Sequence, residues 1–116
     1  MNLQKEMKII LNVDVKYGKG GERPLRSDII RLAKMPKKPA SVVVWIHGGG
    51  WRGGDKQRDI ARLISLVRCG YFCVSIEYRL SQESKYPAQI YDCKCAVRFL
   101  RAKAKYYNIN PDKIGV

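Results

Sequence analysis

Hydrophobic and polar residues alternate along the first third of the chain at the spacing of β-strands. Residues 7–17 alternate from Leu11 onward, and residues 24–32 are predicted to form a second strand. The glycine-rich residues 18–21 between them are typical of a turn. The simplest arrangement of the two predicted strands is an antiparallel hairpin.

Two later stretches are apolar without alternation. Residues 42–46 are all apolar and rich in β-branched side chains, which is typical of a strand buried on both faces, as in a parallel sheet covered by helices. Residues 71–78 are predicted to form another strand rich in apolar residues. Residues 113–116 have the composition of the start of a further strand.

Helical spacing follows each of these two predicted strands. The first helix is predicted to begin near Lys56, with Asp55 as its N-cap, and to end at Gly70. Its apolar stripe consists of Ile60, Leu63, Ile64 and Val67. The second helix follows Pro87 and ends where Asn108 can take the left-handed conformation. Its apolar stripe consists of Ile90, Cys93, Val97, Leu100 and Ala104.

The predicted order of elements is β-β-β-α-β-α-β, within one domain of 116 residues. An antiparallel hairpin followed by βαβ units predicts a mixed sheet with helices on both faces and right-handed crossovers. The predicted fold class is therefore α/β.

Three glycines follow directly on the strand at residues 42–46. Residues 47–51 are His-Gly-Gly-Gly-Trp, and a strand, a glycine loop and a helix in this order predict an anion site made by backbone N–H groups. Two phosphate motifs do not fit the segment. A P-loop requires glycine where Asp55 precedes Lys56, and the dinucleotide fingerprint is interrupted by Trp51.

The net charge of +13 is high for a chain of this length. Lysine and arginine are spread along the chain without a block of like charges, and aromatic residues do not interleave with them as an RNA-binding sheet requires. A solvated basic surface is the favoured interpretation. Nucleic-acid binding stays as the weaker alternative, because a basic face attracts phosphate.

The four cysteines, at positions 69, 73, 93 and 95, do not have zinc-site spacing, and the chain has one histidine. No metal or organic cofactor is predicted, and the cysteines are expected to be free thiols, mostly buried. No apolar run has the length of a membrane span, and none has the form of a signal peptide. The default expectation is a cytoplasmic protein, with secretion left open if the amino terminus is incomplete.

Four blocks of residues carry a resemblance to a known family. They are residues 47–51 with 54–56, residues 77–80, residues 86–88 with Asp92 and 96–100, and residues 110–116. In this order and spacing they resemble the amino-terminal part of an α/β-hydrolase of the hormone-sensitive-lipase and feruloyl or acetyl-xylan esterase (BD-FAE-like) type. The resemblance implies an incomplete α/β-hydrolase fold. Residues 1–40 would be its opening strands, and residues 41–116 the oxyanion-loop strand, two helices and the start of the nucleophile strand.

The resemblance also implies a function, that of a serine carboxylic-ester hydrolase of the esterase or lipase type. When complete, such an enzyme acts on small-molecule or carbohydrate-linked esters and needs no cofactor. The N–H groups of Gly49 and Gly50 are then the expected oxyanion-hole donors. The residues expected to support this motif are His47, Gly48, Trp51, Asp55, Glu77, Tyr78, Arg79 and Asp92.

The catalytic triad expected of such an enzyme has no counterpart in the sequence. None of the serines lies in Gly-x-Ser-x-Gly, and the single histidine, His47, belongs to the glycine motif as a loop-orienting residue. The resemblance places the nucleophile, the acid and the base beyond Val116. The chain alone is therefore predicted to be inactive.

Some of these positions have structural alternatives. Trp51 either lines a substrate pocket or acts as a packing wedge. Glu77 and Arg79 follow a strand at the edge where open α/β sheets bind ligands, although an ion pair of Arg79 with Asp92 is favoured over catalysis. A non-catalytic chain would instead bind a partner, or associate with itself, through an exposed sheet edge.

Overall fold

The computed structural model describes residues 8–34, 37–48, 56 and 59–116. The strands in these residues are β1 (Ile9–Gly20), β2 (Arg23–Leu32), β3 (Ala40–Ile46), β4 (Phe72–Ile76) and β5 (Ile109–Gly115). The helices are α1 (Ile60–Arg68), α2 (Ala88–Ala102) and the short α3 (Ala104–Tyr107). The order agrees with the predicted one, except that α3 is separate from the end of the second predicted helix.

The strands form one mixed sheet in the order β1-β2-β4-β3-β5. β2 is antiparallel to β1 and to β4, whereas β3 is parallel to β4 and to β5. All residues of β4 are buried, as expected for a strand with two neighbours and helices on both faces. The predicted α/β fold is confirmed, with the hairpin at one side of the sheet and β5 at the other.

Alternate residues of the central strands enter two cores on opposite faces of the sheet. On one face, Val74 of β4 belongs to a cluster with Ala96 and Leu100 of α2. On the other face, Cys73 belongs to a cluster with Leu63 of α1. Since successive strand residues point to opposite faces, this alternation confirms that helices cover both sides of the sheet.

The turn of the hairpin lies later than predicted. Gly18 and Gly20 belong to β1, and the turn consists of Gly21, which has a φ of +62°, and Glu22. The prediction of a turn over residues 18–21 was therefore wrong, because the turn begins only at Gly21. Within β1 the glycines serve close approach instead, because a Cβ atom at Gly20 would lie 2.4 Å from Nε of Arg79.

The ends of the helices agree only in part with prediction. α1 begins at Ile60, later than expected, and the Asp59 side chain before it makes no capping hydrogen bond. Its carboxylate instead accepts a hydrogen bond of 3.0 Å from Nε1 of Trp45. Asp55, the predicted N-cap, lies outside the described residues. Asn108 has a φ of +55°, which confirms the predicted left-handed residue.

β5 begins at Ile109 and so extends further toward the amino terminus than the predicted start at residue 113. Its register against β3 shifts between Ala40 and Val42. The exposed Pro111 lies in the irregular part, where a missing N–H group is tolerated. β3 nevertheless lies between β4 and β5 in the sheet.

The predicted apolar stripe of α2 is only half covered. Leu100 is fully buried, whereas Ile90, Cys93 and Val97 are partly exposed, and the helix turns Asp92 inward. We call the open space beside these side chains the α2 groove. With a volume of about 480 Å³, it is lined by Val44, Ile46, Ile90, Cys93, Lys94, Val97, Arg98, Arg101 and Val116.

All four cysteines are free thiols, as predicted, but they are less buried than expected. Cys73 is buried, Cys93 and Cys95 are partly buried, and Cys69 is exposed. Burial raises the pKa of Cys73 and of Cys93 to about 11. No helix in the part of the chain that the structure describes is long and apolar enough to cross a membrane.

Substituting Leu100 with Ala should lower the free energy of unfolding by about 2–5 kcal/mol, because the cavity left in the core is only partly refilled. Val97→Ala, on the same helix, removes a side chain that borders the open groove and should cost less than about 1 kcal/mol. Urea unfolding followed by circular dichroism gives both values. Equal losses would show that the groove is closed in solution.

Candidate functional site

The candidate site lies where the central parallel strands end. His47 and Gly48 follow β3, and the segment that contains Tyr78 follows β4. Ile46 is paired with Ile76 at the ends of the two strands, so the segments leave the sheet side by side. The carboxyl edge of a parallel sheet is where open α/β proteins bind ligands.

His47 is held by Tyr78 through its ring and its backbone. The two rings stack with centroids 4.4 Å apart, and the Tyr78 hydroxyl donates a 2.8 Å hydrogen bond to the His47 carbonyl. His47 Nδ1 lies 2.9 Å from the carbonyl oxygen of Gly48, which can only accept a hydrogen bond. His47 is 3% exposed, whereas Gly48 is exposed. The chain is therefore fixed where it leaves β3.

Tyr78 is suited to this role as a neutral donor. Burial is the main cause that raises its pKa, so the hydroxyl keeps its proton at neutral pH. Burial likewise raises the pKa of Tyr17, whose hydroxyl donates to the backbone carbonyl of Glu77. Two tyrosine hydroxyls thus bind the backbone at the ends of both strands.

The Glu77 side chain is bound to the hairpin. Its Oε1 accepts a 2.6 Å hydrogen bond from the backbone N–H of Arg26, and its Oε2 lies 3.4 Å from Nη2 of Arg23. Arg23 also pairs with Glu83 at 2.9 Å. The Glu77 carboxylate therefore joins β2 to the segment after β4.

Arg79 and Asp92 form the predicted ion pair. Nη2 of Arg79 lies 2.8 Å from Oδ1 of Asp92, Nε lies 3.0 Å from Oδ2, and the Arg79 backbone N–H donates to Oδ2 at 2.8 Å. Asp92 is 2% exposed, and its hydrogen bonds raise the pKa of Arg79. This bidentate ion pair joins α2 to the end of β4.

Lys56 lies near the same edge and was missed as a functional residue, although it belongs to the recognised motif. Its Nζ lies 2.7 Å from Oδ1 of Asp14 and 3.1 Å from Oδ1 of Asp28, and its carbonyl accepts a hydrogen bond from the Ser75 hydroxyl. A signal was present in the sequence, because aspartate is depleted in strands. Both aspartates interrupt predicted strands.

Four of the predicted site residues are not covered by these observations. Gly49, Gly50, Trp51 and Asp55 lie outside the described residues. The described ones, His47, Gly48, Glu77, Tyr78, Arg79 and Asp92, lie at the ends of β3 and β4 and on α2. Within the described ranges, no group of three or more His, Cys, Asp or Glu side chains has metal-site geometry.

Replacing Tyr78 with Phe should lower the free energy of unfolding by about 1–3 kcal/mol, because it leaves the buried His47 carbonyl without this donor while keeping the stacked ring. Tyr91→Phe is the matched control, since Tyr91 is 58% exposed and should change stability by less than about 0.5 kcal/mol. Equal losses in urea unfolding would show that the Tyr78 hydroxyl does not hold the backbone.

Comparison with known proteins identifies the family. Residues 28–116 match the BD-FAE family model. Esterase LipC of Mycobacterium tuberculosis is 36% identical over 89 residues, which are 76% of this chain and 20% of that protein. Esterase LipQ of the same organism is 34% identical over 104 residues, which are 89% of this chain and 25% of that protein.

Solved structures agree with this match. The thermophilic esterase Est2 of Thermogutta terrifontis superposes with a TM-score of 0.81 at 25% identity, covering 89% of this chain and 38% of that chain. Its propionate-bound form gives the same TM-score and covers 39% of that chain. The chain thus spans a quarter or less of the two mycobacterial esterases and under half of Est2. It belongs to the BD-FAE family, and its sheet is part of the α/β-hydrolase fold.

Proposed function

We propose that this chain is the part of a serine carboxylic-ester hydrolase that supplies the oxyanion-hole loop. The observation that carries the proposal is the fixed His47, the first residue of the His-Gly-Gly-Gly motif, at the carboxyl end of the central strand β3. An oxyanion-hole loop needs this location, because its backbone N–H groups must point at a carbonyl held above the sheet edge.

The donors are the backbone N–H groups of Gly49 and Gly50. A tetrahedral intermediate of ester hydrolysis carries a negatively charged oxygen, and each donor aimed at it stabilises the transition state by about 3 kcal/mol. Glycine suits these positions because a Cβ atom would obstruct the approach of the substrate carbonyl. Family membership and the sequence motif support this assignment.

The rest of the machinery belongs to other residues of a complete enzyme. No serine of this chain lies in Gly-x-Ser-x-Gly, and its one histidine is buried against Tyr78. The chain alone therefore has neither the nucleophile nor the base, and it is inactive by itself. The lengths of the related esterases support this view, since the chain spans 20% of LipC and 25% of LipQ.

The substrates of the complete enzyme are short-chain acyl esters, either of small alcohols or linked to carbohydrate. The support for a short acyl group is the propionate-bound form of Est2, a relative at 25% identity. The Arg79–Asp92 pair and Glu77 have structural partners, so these residues serve the scaffold and not the chemistry.

A fluorophosphonate probe tests this proposal, because it labels activated serines. The purified chain should show no labelling, whereas an antibody against it should detect a labelled species in the native source that is severalfold heavier than 13.3 kDa. Labelling of the purified chain at full occupancy would overturn the assignment of an inactive part. A native species of 13.3 kDa without esterase activity would leave only a binding function.

In a labelled heavier species, Gly50→Val should lower kcat about 10²–10³-fold, because the valine side chain would keep the substrate carbonyl away from the N–H groups, with an effect like that of losing an oxyanion donor. Gly115→Ala is the matched control, since its Cβ atom would meet only the Val42 carbonyl oxygen, at an ordinary 3.9 Å. Similar kcat values for the two variants would argue against the oxyanion-hole assignment.

A second candidate function is partner binding by strand addition at β5. In the described part of the chain, β5 pairs only with β3, and the apolar α2 groove lies beside these strands. Lys94, Arg98 and Arg101 line this groove. A second copy of the chain would place its own cations against these, and two chains that each carry a net charge of +13 repel each other. An acidic polypeptide segment is therefore the favoured occupant.

An extended peptide that alternates valine with glutamate is a suitable probe for this surface, because its free backbone groups can pair with β5 as an added strand. Arg98→Glu, inside the groove, should weaken its binding about tenfold more than Arg68→Glu, which changes the net charge equally but lies on α1. Equal effects would mean non-specific attraction to a basic surface. If a second copy of the chain is the occupant instead, sedimentation velocity without peptide would show a dimer. The dimer fraction would then increase with added salt, because salt screens the repulsion between the two basic chains.

A further inference from the structure

The Lys56 side chain is largely buried, and its ammonium group is held between two carboxylates. Its side chain is only 11% exposed, and its ammonium lies between Asp14 and Asp28 at 2.7 and 3.1 Å. Although burial lowers the pKa of Lys56, the hydrogen bonds to the two carboxylates outweigh this effect and raise it. The side chain therefore stays charged at neutral pH and does not act as a base.

Both carboxylates that bind this ammonium group come from the β1–β2 hairpin. Asp28 lies on β2 with a side chain that is 1% exposed, and its Oδ1 also accepts a 3.0 Å hydrogen bond from the backbone N–H of Asp14. Asp14 has a φ of +59° within the stretch where β1 shifts its register against β2. The strained residue thus supplies the second carboxylate to Lys56.

This arrangement is not the one that stability alone would favour. Oδ2 of Asp28 is buried and has no hydrogen-bond partner among the described residues, which is unfavourable for a carboxylate. Replacing a buried ion pair by apolar residues is often neutral or stabilising, so such a pair is weak evidence for a role in stability. A positional requirement is the better explanation.

The backbone of Lys56 is fixed as well. Its carbonyl accepts a hydrogen bond from the hydroxyl of Ser75, on β4. Tyr78, just beyond the end of the same strand, holds the carbonyl of His47. The residue that begins the glycine motif and the lysine that ends it are therefore both anchored to β4 and the residues after it.

We propose that Lys56 is a positioning residue, whose ammonium, clamped between Asp14 and Asp28, fixes the end of the glycine motif relative to the hairpin. The functional meaning of this clamp rests on the proposed oxyanion-hole role of the motif. The amino-terminal hairpin is then a support of the site, joined to it by two carboxylates.

Amide hydrogen exchange followed by NMR tests the clamp without any substrate, so its result is independent of the esterase proposal. In Lys56→Met, the amides of residues 48–56 should exchange at least about tenfold faster than in Lys105→Met, a control at an exposed position of α3. Amides of β4 should be affected less. An unchanged rate in residues 48–56 would overturn the proposal.

The double variant Asp28→Asn/Lys56→Met separates position from stability. It removes the uncompensated buried carboxylate of the single variant, so the urea midpoint should recover toward that of the original chain. Exchange in residues 48–56 should stay at least about tenfold faster. Recovery of both quantities together would show that Lys56 only stabilises the fold. If Lys56→Met does not fold, the double variant alone decides between these outcomes.

Discussion

The parallel register of β3 against β4 is the constraint on which the candidate site depends. Ile46 is paired with Ile76, so His47 and Tyr78 leave the sheet close enough to stack and to share a hydrogen bond. This register is fixed by the two cores, because a shift by one residue would exchange the faces of every side chain in β3. The geometry at the carboxyl edge is therefore a consequence of burial on both sides of the sheet, and not of the local loop sequence.

Polar contacts then converge on β4 and the residues after it. Glu77 binds the hairpin, Arg79 binds Asp92 on α2, and Ser75 binds the carbonyl of Lys56. Buried charge pairs contribute little net stability, but they penalise arrangements in which one partner is missing. Their distribution here connects the hairpin, α2 and the glycine motif to one buried strand, which makes β4 the reference for all three.

The elements that sequence periodicity predicted well are those whose surroundings are uniform. β4 is buried on both faces, and β3 is buried on one face and partly buried on the other, so both appear in the sequence as apolar runs. Asn108 marks the end of a helix through its own backbone preference. Contacts between distant residues were not predictable. The glycines at the hairpin predicted a turn, because the neighbouring sequence does not show that Gly20 leaves room for the distant Arg79 side chain. The apolar stripe of α2 likewise did not show that Asp92 points inward and pairs with Arg79. The assignment of Gly49 and Gly50 came from the family resemblance alone.

The two carboxylates around Lys56 contribute differently to the clamp. The Asp28 side chain is 1% exposed and that of Asp14 is 58% exposed. An ion pair in a buried, low-dielectric environment is little affected by salt, whereas an exposed partner is screened. Asp28 also lies within the residues that match the family model, and Asp14 lies before them. The buried carboxylate therefore defines where the ammonium sits. Asp14, whose pKa is lowered by its hydrogen bond to Lys56, closes the other side as an ionised group at neutral pH.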